Sequence, residues 1–220
     1  MVESQHVAAT MKRVDTRDEQ DLLESLLEAG KPVTPVDTRG LHYLLATPFR
    51  YPPLAGGSRF RGYADPGVFY AAESVRTAAA ELGYWRWKFL QDAVNLDRLG
   101  PVAHSAFSVK ISTTAVDLRE PPFEGYASRW LHPSDYLPTQ AFARVAREAG
   151  VGAIVYQSVR DPSPAWCIAL LSSSAFARKK PEAGGECWYL AVTKEAVSWR
   201  RDQQAMEFST RPWEEAVTAD

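Results

Sequence analysis

Between residues 151 and 192 the chain runs "VGAIVYQS", "AWCIALLS" and "CWYLAV", three short apolar stretches separated by Pro or Gly. Each is too short for an ordinary helix and shows no polar alternation, which is the pattern of strands buried in a sheet. Immediately before them, "PTQAFARVAREAG" (138–150) is an amphipathic helix closed by Gly150. The first half repeats the mixture. "GVFYAA" (67–72) is a further buried strand, followed by Ser74 as a helix N-cap and a helical stripe of Ala78, Leu82, Trp85 and Phe89. "GLHYLLATPF" (40–49) and "SAFSVKIS" (105–112) also read as strands, and "RYPPLAGGSR" (50–59) is a Pro/Gly loop open to ligand approach. No internal repeat is present. The expected fold class is α+β, a single domain with one mixed or antiparallel sheet core.

A chain of 220 residues with 45% apolar content supports one substantial core and is short for two. Its organisation reads as a polar N-terminal tail and helix over 1–39, one domain over 40–200, and a C-terminal tail over 201–220. Within the first segment "DLLESLLEAGKP" puts Leu22, Leu23, Leu26 and Leu27 on one face and stops at Gly30 and Pro32, a helix docked or exchanged with a partner. No apolar leader or membrane-length run is present, so a cytoplasmic location is expected.

The formal charge of -2 offers no global basic field, which disfavours direct nucleic-acid binding; Arg178, Lys179 and Lys180 read as a solvated loop. The cluster "GYWRWKFL" (83–90) interleaves aromatics with basic residues, but core packing of a long helix explains it better than a base-stacking platform. Cys167 and Cys187 lack zinc spacing and are expected as buried thiols, and His6, His42, His104 and His132 are scattered singly. No metal is expected.

Arg59, Tyr70 and Glu81 stand at equal intervals of eleven residues, in a loop, a strand and a helix respectively. A guanidinium suits a phosphate, a phenol ring stacks on a flat ring, and a carboxylate stabilises a developing positive charge. Glu81 falls on or beside the buried face of its helix, one turn before Trp85. Ser158 follows an apolar strand and precedes Arg160, Asp161 and Pro162, where its hydroxyl can reach Glu81 or a ribose hydroxyl.

"GSRF", "GVFYAAES", "AAAEL" and "VYQSVRDP", in that order, resemble the RES domain, named for an arginine, a glutamate and a serine. The resemblance covers about residues 40 to 195. It implies a fold similar to the diphtheria-toxin-like ADP-ribosyltransferases, NAD as a consumed substrate, and a toxin of a type II toxin-antitoxin pair whose partner is an Xre-type helix-turn-helix antitoxin. Residue by residue, it implies Glu81, Arg59 and Ser158 as catalytic and Arg59, Tyr70, Arg50 and Ser158 as NAD-binding, with the loop between Arg50 and Arg59 short for the family pattern. No GxGxxG follows a strand, so NAD is expected as substrate and not as a Rossmann redox cofactor. The acceptor of ADP-ribose stays open between water, phosphate and a side chain of a target protein, with protein transfer favoured. A non-catalytic interaction module is the alternative of another class. The stretch 119–136 is the expected acceptor-side loop; it contains Glu124, Arg129, Trp130 and Asp135, none of which specifies a nucleophile by spacing alone.

Overall fold

The computed structural model describes residues 1–4, 14–53 and 56–218. In chain order the elements are β1 (Val2–Glu3), α1 (Arg17–Ala29), α2 (Tyr43–Arg50), β2 (Phe69–Ala72), α3 (Val75–Asp92), β3 (Arg98–Ala106), β4 (Ala115–Asp117), α4 (Ala127–Trp130), α5 (Leu137–Glu148), β5 (Ala153–Gln157), β6 (Trp166–Leu170), β7 (Glu186–Thr193), β8 (Ala196–Arg201), β9 (Gln204–Ser209) and α6 (Arg211–Thr218). The class is α+β. The expected single sheet is two: a five-stranded antiparallel sheet in the order β1-β3-β7-β8-β9, and a four-stranded mixed sheet in the order β2-β6-β5-β4. In the second, only the β4–β5 pair is parallel.

Why β5 and β6 are apolar at nearly every position follows from what covers them. Ile154, Tyr156, Cys167 and Ala169 pack on one face with Phe60, Trp130 and the α5 residues Ala143 and Ala146. Ala153, Ile168 and Leu170 pack on the other with Leu45 of α2. A sheet dry on both faces needs apolar side chains at both parities of the strand. The five-stranded sheet instead buries Trp188, Leu190, Val192, Val197 and Trp199 against α3. Gly83 lets α3 sit that close, since a Cβ there would lie 2.7 Å from Val197 Cγ1.

α3 is docked on the five-stranded sheet through Thr77, Ala80, Tyr84, Trp87 and Leu90. The expected buried stripe is therefore turned: Trp85 and Phe89 are about half exposed. The N-cap is as read, with the Ser74 hydroxyl accepting the Thr77 N–H at 3.1 Å. Ser74→Ala should cost about 1 kcal/mol, the usual worth of a helix N-cap. A lowered urea midpoint at unchanged slope is the expected readout; an unchanged midpoint would show the cap to be idle.

The stretch 40–49 holds no strand and is helical from Tyr43 onward. Leu41, Leu45 and Phe49 recur at a spacing of four and pack together into the core, and His42 Nδ1 accepts the Leu44 N–H at 3.3 Å to start the turn. Residues 105–112 are strand only as far as Ala106. Beyond it Phe107, Val109 and Ile111 still alternate into the core, but their backbone is held by the segment around residues 175–182 and not by a sheet.

The stretch 201–220 carries β9 and α6 where a tail was expected, because Phe208 and Trp213 bury their rings in the core with Tyr84 and Trp87. Cys167 is buried as expected, whereas Cys187 is exposed. α1 forms with a capping box between Thr16 and Glu19, and none of its residues is buried. His6 lies outside the described residues.

Candidate functional site

β2, α3, β6 and the segment after β3 enclose a cavity of about 650 Å³, within the range of small-molecule sites. Ala78, Glu81, Leu82 and Trp85 form its α3 wall, one face of the helix being committed to the sheet and this face to the cavity. Of the stripe read from the sequence, Ala78, Leu82 and Trp85 line this hollow, and Phe89 does not.

Arg59 reaches the cavity from a tight loop. Ser58 and Arg61 exchange backbone hydrogen bonds of 2.7 and 3.1 Å, and Gly57 enters the turn at φ +71, where a Cβ would lie 2.2 Å from the Arg61 carbonyl oxygen. Thr139 of α5 donates its hydroxyl to the Arg59 carbonyl oxygen. The residue is 7% exposed, and its guanidinium donates from Nη1 to the Trp130 carbonyl oxygen at 2.7 Å and lies 4.9 Å from the centre of the Tyr136 ring. It faces the cavity already oriented and with donors to spare.

Tyr70 stands in β2 with its ring partly open to the cavity. Its hydroxyl accepts the Phe60 N–H at 2.9 Å and lies 2.8 Å from Ser58 Oγ, which ties the strand to the arginine loop. Desolvation pushes the phenol up to about 12, against the smaller opposing effects of these hydrogen bonds, so it is neutral in the ordinary pH range.

Glu81 is held from behind. Ser158 Oγ accepts the Arg160 and Asp161 N–H groups at 3.3 and 3.1 Å, so its single proton is directed to Glu81 Oε1, 2.6 Å away. Cys167 Sγ lies 3.8 Å from the same oxygen, and burial pushes its thiol far up, keeping it a donor. Among the described residues Oε2 receives no hydrogen bond. One oxygen anchors the carboxylate, and the other is free to act on a ligand.

The structure therefore brings Arg59, Tyr70 and Glu81 together on one cavity wall. Ser158, 4% exposed, stands behind Glu81 and does not line the cavity, which makes it a support and not a ligand contact. Arg50 is elsewhere: its Nε donates to the Pro32 carbonyl oxygen at 2.6 Å, and its terminal nitrogens meet Glu28 Oε1 at 3.4 and 3.5 Å. It ends α2, and that helix points it at the N-terminal segment. Glu124, Arg129 and Asp135 are exposed and do not line the cavity; Trp130 contributes only its carbonyl to Arg59.

Tyr136, Tyr156, Arg160 and Cys167 were not assigned from the sequence and belong to the site. The β5–β6 register pairs Cys167 with Tyr156 directly, a pairing that the two apolar runs do not show by themselves. Arg160 and Tyr136 carry no local signal. Among the described residues no group of three or more His, Cys, Asp or Glu could hold a metal ion, and no helix is long and apolar enough to cross a membrane.

No curated protein matches the chain. The family model for the RES domain matches residues 34–199, most of the chain and all of the cavity wall contributed by Arg59, Tyr70 and Glu81 together with Ser158 behind it. By that match and by the arrangement of its arginine, glutamate and serine, the chain belongs to the RES domain family.

Proposed function

We propose that this chain cleaves NAD at the bond between nicotinamide and ribose and passes the ADP-ribose to a side chain of a target protein, as the toxin of a toxin-antitoxin pair. The RES domain is associated with toxins of such systems that process NAD. The observation that carries the reading is the Ser158–Glu81 bond of 2.6 Å, which leaves the second carboxylate oxygen toward a cavity also faced by Arg59 and Tyr70.

As the C–N bond breaks, its electron pair leaves with nicotinamide and positive charge grows on the ribose. A carboxylate beside that centre gains attraction as the charge develops, which lowers the barrier without tightening the ground state. Arg59 suits the diphosphate and Tyr70 the nicotinamide ring. The acceptor then bonds to the ribose carbon and gives up its proton. An Xre-type antitoxin that inserts an anionic segment at Arg59 would silence the site by occupying it.

Incubation of the purified chain with adenine-labelled NAD and lysate tests both parts. Labelled protein is the expected product; free ADP-ribose alone would transfer the reading to a glycohydrolase, and intact NAD after prolonged incubation would end it in favour of a non-catalytic module. Addition of the antitoxin should abolish NAD binding, and undiminished binding would overturn occlusion.

A further inference from the structure

Arg160 is the least explained charge in the molecule. It is 3% exposed and lines the cavity, yet among the described residues it has no carboxylate partner, and its Nη1 has no hydrogen-bond partner at all. The neighbouring Asp161 is engaged by Arg76. What holds Arg160 is weaker: Nη2 donates to the Pro133 carbonyl oxygen and lies 3.4 Å from the Tyr136 hydroxyl, and the guanidinium rests 3.5 Å from the centre of the Tyr84 ring. Its own carbonyl accepts the Trp213 indole N–H at 3.0 Å, so α6 fixes the backbone beneath it.

A buried guanidinium without a counter-charge is costly, and such a group is retained where something else completes it. Arg59 meets the same Tyr136, its guanidinium 4.9 Å from the centre of that ring, and is also buried without a carboxylate partner among the described residues. Two guanidiniums meet one tyrosine, and burial holds Tyr84 and Tyr156 in the neutral phenol form by raising both of them. The cavity lining also holds Glu73, Glu81 and Glu186, but Glu186 is paired with Arg201, Glu73 accepts the Trp166 N–H and Glu81 is held by Ser158; among the described residues none forms an ion pair with Arg59 or Arg160. Both guanidiniums are thus buried with no carboxylate within ion-pair distance among the described residues.

We infer that Arg59 and Arg160 form a two-guanidinium site for a phosphate-type oxyanion, with Arg160 as a ligand-binding residue and Tyr136 as the spacer that sets the two forks apart. Fork geometry and weak hydration make guanidinium the suited partner for phosphate oxygens in a desolvated wall. The oxyanion is either the diphosphate of the dinucleotide or free inorganic phosphate that enters as acceptor. The identification with a dinucleotide rests on the NAD reading; the oxyanion class does not.

Calorimetric titration of the full chain with inorganic phosphate, ADP-ribose and adenosine tests it on wild type and on Arg160→Gln, which keeps a donor for the Pro133 carbonyl and removes the charge. Phosphate and ADP-ribose should each weaken by about tenfold or more, the scale of a lost hydrogen bond to a charged group, while adenosine is unmoved. Equal affinities for all three in both proteins would overturn the site. If Arg160→Gln does not fold, Arg160→Lys decides. One ammonium cannot hold Pro133 and Tyr136 and also reach the ligand, so phosphate-bearing ligands should weaken severalfold, and wild-type affinities would overturn the inference. Competition between inorganic phosphate and ADP-ribose assigns the site to the diphosphate, and simultaneous binding assigns it to free phosphate. NAD that is cleaved normally by an Arg160 variant with unchanged affinities sinks this site and spares the proposed function. Oxyanion binding through Arg160 in a chain that leaves NAD intact does the reverse.

Discussion

Glu81→Gln should bind NAD as the wild type does and turn it over roughly a hundred to a thousandfold more slowly, the usual cost of removing one preorganised electrostatic partner of a transition state. The substitution keeps the side-chain length and the acceptor at Oε1, so the bond from Ser158 at 2.6 Å survives. The negative charge on the cavity side is lost. That charge matters only as positive charge grows on the ribose, so the change belongs in kcat and not in binding. A single-turnover assay at saturating NAD, beside a calorimetric titration, separates the two. Turnover at the wild-type rate would remove Glu81 from the mechanism, whereas lost binding would make it a ligand contact.

Arg59→Lys should fail in the opposite order. The arginine spends one Nη1 donor on the Trp130 carbonyl oxygen at 2.7 Å and keeps other donors for a ligand. A lysine at this 7% exposed position has one ammonium for both duties. Hydrogen bonds to charged groups are worth about 1.5–3 kcal/mol, so NAD affinity should fall roughly 10- to 100-fold. Phosphate charge is present from the Michaelis complex onward, so turnover at saturation should change less than in Glu81→Gln. A variant with full affinity and slow turnover would reverse the two roles.

Sequence patterns found most of the scaffold where local rules suffice. The runs at 151–158 and 165–172 are strands covered on both sheet faces, that at 187–192 is a strand buried on one face through Trp188, Leu190 and Val192, and the Ser74 cap starts α3 at the expected residue. Patterns failed where two structures share one signature. Residues 40–49 satisfy strand composition but place Leu41, Leu45 and Phe49 at helical spacing, and the core rewarded the helix. The second sheet was invisible because strand count does not reveal which strands pair. Arg50 shows the limit of motif matching, since its neighbour Glu28 lies on a segment whose position no local pattern encodes.

What the sequence by itself determined is the set of chemical groups and their order along the chain: an arginine after a glycine turn, a tyrosine in a strand, a glutamate on a helix and a serine at a strand end. These follow from backbone preferences and periodicity, which act over a few residues. Only the tertiary structure decided which face of α3 is wall and which is core, by docking Tyr84 and Trp87 on the five-stranded sheet and leaving Glu81 toward the cavity. It also decided that Ser158 supports Glu81 from behind and that Arg160, a buried cation without a carboxylate partner among the described residues, shares the wall with Arg59. Burial and polar pairing are set by neighbours far along the chain, such as Ser158, 77 positions from Glu81, and Trp130, 71 positions from Arg59. No local pattern carries that information, because desolvation and pairing energies exist only once the chain has closed around them.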